Sequence, residues 1–100
     1  MTSQGFMRLL TRLDACSPAK EWAKGKSLGV VWRTCKRGDW LLWLSAKMAG
    51  KRGWPTQEQY FVALEARRQY MSKHFWDIPA SKYLSESAKI VRRHLKEPKP

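Results

Sequence analysis

Arg37-Gly38-Asp39-Trp40-Leu41-Leu42-Trp43-Leu44 is the stretch that decides the fold class of this chain. From Trp40 to Leu44 every residue is large and apolar, so a helix here is hydrophobic around its whole circumference for more than one turn. Such a helix has to be surrounded by protein. The run is far too short to cross a bilayer. The reading is therefore an all-α domain, a small bundle of five to six helices around a Trp-rich central helix. Asp39 reads as that helix's N-cap and Gly38 as the left-handed residue closing the helix before it. The helix emerges at Lys47 and stops at Gly50. On this reading Trp40, Trp43 and Leu44 are almost fully buried, and Trp43→Ala costs roughly 3–5 kcal/mol.

Working outward, the punctuation by Ser, Pro, Gly and Asp marks further helices. Phe6, Leu9, Leu10 and Leu13 share one face of a first helix over about 6–15. Ser17-Pro18 reads as N-cap and first residue of a short second helix closed by Gly25. Ser27 caps a third, in which Leu28, Val31, Trp32 and Cys35 form the apolar stripe. Downstream, Thr56-x-x-Gln59 is a capping box opening a helix to about Trp76. Tyr60, Phe61, Leu64, Met71 and Phe75 are expected on its core face, with Arg67 and Arg68 at the edges of that stripe. Pro79 breaks the chain, and Ser81 or a neighbour starts the last helix. There Tyr83, Leu84, Ala88, Ile90, Val91 and Leu95 face one way, and Lys82, Glu86, Lys89, Arg92, Arg93 and Lys96 the other. No strand-like alternation and no solenoid repeat appears. Residues 1–100 make one domain, with about 1–5 and 97–100 as flexible tails.

Lys and Arg number 20 against 8 Asp and Glu, a net charge of +12. Such an excess exceeds the magnitude of ~2–8 that solubility requires in a small domain. It points to nucleic acid or an acidic protein surface as partner. The candidate binding residues fall into clusters: Arg33, Lys36 and Arg37 before the central helix, Lys47, Lys51 and Arg52 after it, Arg67 and Arg68 on the long helix, and Lys89, Arg92, Arg93 and Lys96 on the last. If they converge, they form a phosphate-contact surface without sequence readout. Arg92 and Arg93 are expected to point away from the core. Trp54 has two open roles, stacking on a base or plugging the core before Pro55, and the second is favoured.

Catalytic chemistry is sought and not found. Cys16, Cys35, His74 and His94 lack the paired spacing of a zinc site. Cys35 sits in an apolar stripe, where burial makes a thiol inert, so a Cys35–His74 dyad is disfavoured. Asp14, Asp39 and Asp77 each stand beside a helix end, where capping explains them. No phosphate loop is present, and Arg37-Gly38-Asp39 is read as caps instead of an adhesion tripeptide. A helix-turn-helix over Trp22–Arg37 fits poorly, since Glu21 stands where a small residue belongs. The expectation is a protein that is not an enzyme, with no metal, no cofactor, no small-molecule substrate and no membrane association. The two thiols are expected reduced and buried, in the cytoplasm.

Trp32-x-x-Cys35-x-Arg37-Gly38-Asp39-Trp40-Leu41-Leu42-Trp43-Leu44 resembles a family of short helical proteins from bacteriophages, prophages and bacteria, some of them described as immunity proteins. Ala15-Cys16 followed by Trp22, and the closing Ala88-Lys89-Ile90-Val91-Arg92-Arg93-His94-Leu95, are similar to further family features. The resemblance covers about half the chain and speaks to fold. Where the family has an alanine-rich stretch, this chain has the Thr56–Trp76 helix. The family brings no catalytic residue to carry over. The resemblance implies a phage-encoded or conflict-related accessory protein. With the charge, three functions remain: binding nucleic acid through phosphate contacts, inhibiting a host defence machine of the anti-CRISPR or anti-restriction type, or conferring immunity to a toxin. The charge of +12 argues against the last, because inhibitors of basic nuclease toxins are usually acidic.

Overall fold

In the computed structural model, which describes every residue except Phe75, the chain forms α1 (Ser3–Arg12), α2 (Ser17–Ala23), α3 (Leu28–Thr34), α4 (Gly38–Met48), α5 (Gln57–His74) and α6 (Ala80–His94). No strand occurs among the described residues. The protein is all-α.

The caps follow the side chains, with some shifts. Thr2 Oγ1 accepts the Gly5 N–H at 3.0 Å and starts α1, so residues 3–5, expected in a loose tail, are its first turn. The helix ends with Asp14 in the left-handed region at φ 60°. There the Ala15 N–H reaches the Leu10 carbonyl at 3.0 Å and the Asp14 N–H reaches that of Thr11 at 3.1 Å. This is a Schellman closure with aspartate where glycine is usual. Cys16, not Ser17, occupies the α2 N-cap position, and the thiol makes no capping bond. Ser27 Oγ accepts the Val30 N–H at 3.3 Å and caps α3. The Thr56–Gln59 box is closed in both directions, at 3.1 and 2.9 Å.

α4 lies between two apolar clusters. Leu44 joins Phe6, Leu9, Leu10, Leu28, Val31 and Trp54 in the first, while Leu41 and Leu42 join Trp32, Cys35, Ala63, Ala88, Val91 and Leu95 in the second. The central position of this helix is as expected, but its tryptophans are not its buried part. Leu44 is buried, whereas Trp40 and Trp43 are half-buried at the margins. The leucines fit between helices, and the wider indoles cover the edges, each with a cation over its ring: Arg37 at 4.3 Å from the Trp40 centroid and Lys47 at 5.9 Å from that of Trp43. The core tryptophans are Trp32, 2% exposed, and Trp54, 8% exposed, so Trp54 is a plug.

Gly38 also differs from expectation. It is the first residue of α4, its φ is not positive, and α3 has already ended at Thr34. Its role is steric: a Cβ there would lie 2.5 Å from the Ser87 carbonyl carbon, so α4 and α6 approach closely only because position 38 has no side chain. Ser87 is fully buried at this crossing, and Arg67 Nε of α5 donates to its hydroxyl at 2.6 Å. Three helices meet at one point.

α5 keeps the expected Tyr60, Leu64 and Met71 on its inner side, but its buried centre is Ala63 and Phe61 turns outward. Ala63 is fully buried, with Tyr60, Leu64, Arg67, Tyr70 and Met71 half-buried around it, while Phe61 is 59% exposed. The small Ala63 lets α5 lie close to its neighbours; a phenyl ring would hold it off. The placement of Phe75 lies outside the described residues. α6 buries Ser87, Ala88, Ile90 and Val91, and Leu95 follows, close to the division read from its pattern. Residues 97–100, expected as a loose tail, run along the 50–53 turn: Pro98 is buried and the Lys99 N–H donates to the Gly53 carbonyl at 2.9 Å.

Candidate polyanion-binding surface

The docked tail does most to organise the basic residues. Arg33 at the end of α3 pairs with Glu97 at 2.8 Å, which pins the start of the tail to α3. Two residues on, Lys99 is tied to Gly53, in the turn that carries Lys51 and Arg52. Gly53 has φ 82°, and a Cβ on it would lie 2.5 Å from the Lys99 carbonyl oxygen, so only glycine permits this approach. Arg92 Nη1 donates to the Cys35 carbonyl at 2.7 Å, joining α6 to the end of α3 beside Lys36. These ties join the segments that carry Lys36, Lys96 and Lys99, and Lys51 and Arg52, and we call these cations, with Arg93 at the end of α6, the basic arc.

The twelve candidate cations are not equivalent. Arg92 does not point away from the core. It is half-buried and satisfies carbonyls that the end of α3 leaves open, at Cys35 and, more distantly, Trp32 at 3.5 Å. Arg67 is likewise inward, on Ser87, instead of at the edge of an apolar stripe. Arg37 is held by both oxygens of Asp39, at 3.2 and 2.7 Å, and that pairing raises its pKa. Arg68 is paired with Glu65 at 2.6 Å, which lowers the carboxyl pKa, and Lys89 with Glu86 at 3.1 Å. Lys47 lies over Trp43. Lys36, Lys51, Arg52, Arg93 and Lys96 are exposed and carry no ion pair among the described residues. Arg67, Arg68 and Lys89 belong to the α5–α6 side instead of the arc. Sequence reading missed Lys99, because a Pro-flanked terminal lysine carries no local sign of being docked.

The two cysteines also differ. Cys35 is buried, and burial pushes its thiol pKa up against the opposing influence of the Arg37 backbone and the Arg92 charge. Cys16 is exposed, contrary to expectation, because the α2 N-terminus faces outward. His74 stands by Asp77 at 3.5 Å, while the Cys35 thiol is directed at the Arg37 carbonyl. Among the described residues no three of His, Cys, Asp and Glu come together as a metal site, and no helix is long and apolar enough to cross a membrane.

A second feature was invisible in the sequence. Between α1, α2, α3 and α4 lies a cavity of about 470 Å³. Buried Phe6, Leu10, Ala23, Val31, Leu41 and Leu44 form its depth. The half-buried Trp22, Trp40 and Trp43, with Asp14, Cys16 and Asp39, form its mouth. Lys26, over the Trp22 ring at 4.6 Å and bonded to the Trp22 carbonyl, is a further cation here that pattern reading passed over. The juxtaposition is tertiary, so no single helix shows it.

No family model matches this chain, and neither a curated protein nor a solved structure matches it.

Proposed function

We propose that this is a non-enzymatic, phage-type accessory protein, acting in the bacterial cytoplasm, that binds nucleic acid through phosphate contacts from Lys36, Lys51, Arg52, Arg93, Lys96 and Lys99. The observation that carries the reading is the docked tail, which draws cations from separate parts of the chain toward one another while Asp39, Glu65, Glu86 and Glu97 are occupied by other cations. Like charges gathered in this way repel, and a polyanion relieves that repulsion. Phosphate contacts release condensed counterions, so six of them give a salt slope of ~−5 on a duplex. The test is affinity for a short duplex and a single strand at low and high salt, in the native chain and in Lys51→Glu/Arg52→Glu. The expected result is strong salt dependence in the native chain and a slope shallower by about two in the variant. Affinity that ignores salt would overturn the reading. Arg92 is left out of the test, because reversing it would strip α3 of its carbonyl partner.

Exposed Phe61 and Val62 on α5 favour a second reading. Apolar side chains outside the basic arc serve contact with protein better than contact with phosphate. The chain would then inhibit a host defence or nucleic-acid-processing machine, or block a toxin, by docking on an acidic protein surface. Recovery of one stoichiometric host protein, with no nucleic acid retained, would decide for it.

A further inference from the structure

We propose that the outer face of α5 is a surface on which two copies of this chain pair, antiparallel and about a two-fold axis. The proposal does not rest on the polyanion reading. α5 packs on α4 and α6 with the side that carries Ala63 and Arg67. On the opposite side Glu58, Phe61, Val62, Glu65, Gln69 and Lys73 recur at helical spacing, and all are exposed. Phe61 and Val62, at 59% and 57% exposure, are large apolar side chains left in water. Each lies one turn before Glu65, at spacings of four and three, so the two form one patch with it. Exposed apolar side chains grouped in this way serve contact with protein.

Charge says which protein covers them. Residues 54–81 hold Glu58, Glu65 and Asp77 against Arg67, Arg68 and Lys73, so the whole excess of +12 resides in the rest of the chain. Two copies therefore repel least when they approach through α5. Glu65 and Arg68 are paired with each other at 2.6 Å, whereas Glu58 and Lys73 carry no ion pair among the described residues. These two open charges are opposite in sign and stand near opposite ends of the helix, ~22 Å apart along its axis. Turning a second α5 antiparallel about a point midway between them, at 65–66, brings Glu58 of each copy to Lys73 of the other. Both open charges are matched at once, as a self-complementary two-fold contact requires. Phe61 and Val62 then lie inside the two ion pairs, against the aliphatic stem of Arg68 and against Gln69 of the other copy. A nucleic acid would meet Glu58 and Glu65 here and gain nothing from the apolar pair.

The test is sedimentation equilibrium of the full chain, freed of nucleic acid, in moderate salt that screens the repulsion between copies. The native chain should pass from monomer to dimer as it is concentrated, and Phe61→Ala should weaken the dimer at least about tenfold. Glu58→Lys and Lys73→Glu each set like charges against one another at both ends of the contact, so each variant alone should be monomeric where the native chain is dimeric. Mixed in equal amounts, the two variants restore both pairs and should associate as the native chain does. That recovery also shows that both are folded. A native chain that stays monomeric at every concentration, including one that holds a different protein on this face, would overturn the proposal. So would a dimer indifferent to Phe61→Ala, or a mixture no more associated than its components.

Discussion

Gly38 and Gly29 separate two meanings of the same residue. Both are helical, and the sequence suggests a cap for the first and a weakened helix for the second. At Gly38 an added Cβ meets Ser87 backbone, which cannot move without shifting α6. Gly38→Ala should therefore cost ~1–3 kcal/mol, read as a lowered denaturation midpoint. At Gly29 the nearest atoms, at 3.2 Å, are the ends of the Arg33 and Glu97 side chains, which can swing aside. Gly29→Ala should be neutral or stabilise by up to ~1 kcal/mol in the same measurement. Cys35 gives a prediction in pH. Burial first, and Asp39 after it, hold the folded thiol pKa above the ordinary range, against the Arg37 backbone and the Arg92 charge. A group raised on folding contributes its full stability below its unfolded pKa and loses it as pH climbs through the folded one. The melting temperature of the native chain should thus fall more steeply above about pH 8.5 than that of Cys35→Ala. Parallel curves would show that the thiol does not titrate with unfolding.

At the scale of the elements, the helices and their order were legible in the sequence, because caps and periodicity are local. Ser27, the Thr56–Gln59 pair and the α6 division all act within one helix, and all are found. What was not legible is which side of a helix its neighbours press on. α4 is apolar all round, so its pattern cannot rank Leu41 against Trp43. α5 has its small Ala63 inward and Phe61 outward, against the ordinary weight given to size. The same limit applies to the site. The basic residues were nameable, but their division into buried partners, ion pairs and exposed cations depends on tertiary contacts. The correction has a measurable form. Trp32→Ala should cost ~3–5 kcal/mol in denaturant, and Trp43→Ala clearly less, since only the first is enclosed by core. Equal losses would return Trp43 to the centre.

For the whole molecule, total charge and its placement can be separated, because residues 97–100 contain one Glu and one Lys. Deleting them leaves the net charge of +12 unchanged while removing Lys99 and freeing the 50–53 turn. If charge alone governs affinity, the shortened chain binds a duplex as the full chain does. If the arc matters, the shortened chain should bind more weakly at every salt concentration, even though Arg33 is released from Glu97 as Lys99 is lost. Equilibrium binding across a salt series decides it. The radius of gyration, 13.3 Å, matches the ~13 Å of a compact 100-residue domain.

The two apolar clusters divided by α4 have a consequence for how the molecule opens. α1 contributes only to the first cluster and α2 touches the second only through half-buried Trp22, whereas α5 and α6 close the second through the Gly38–Ser87–Arg67 crossing. The two halves are therefore unequal foldons. The α1–α2 half can detach in a sub-global excursion that leaves α4, α5 and α6 assembled, and its amides exchange with solvent hydrogen through that cheaper route.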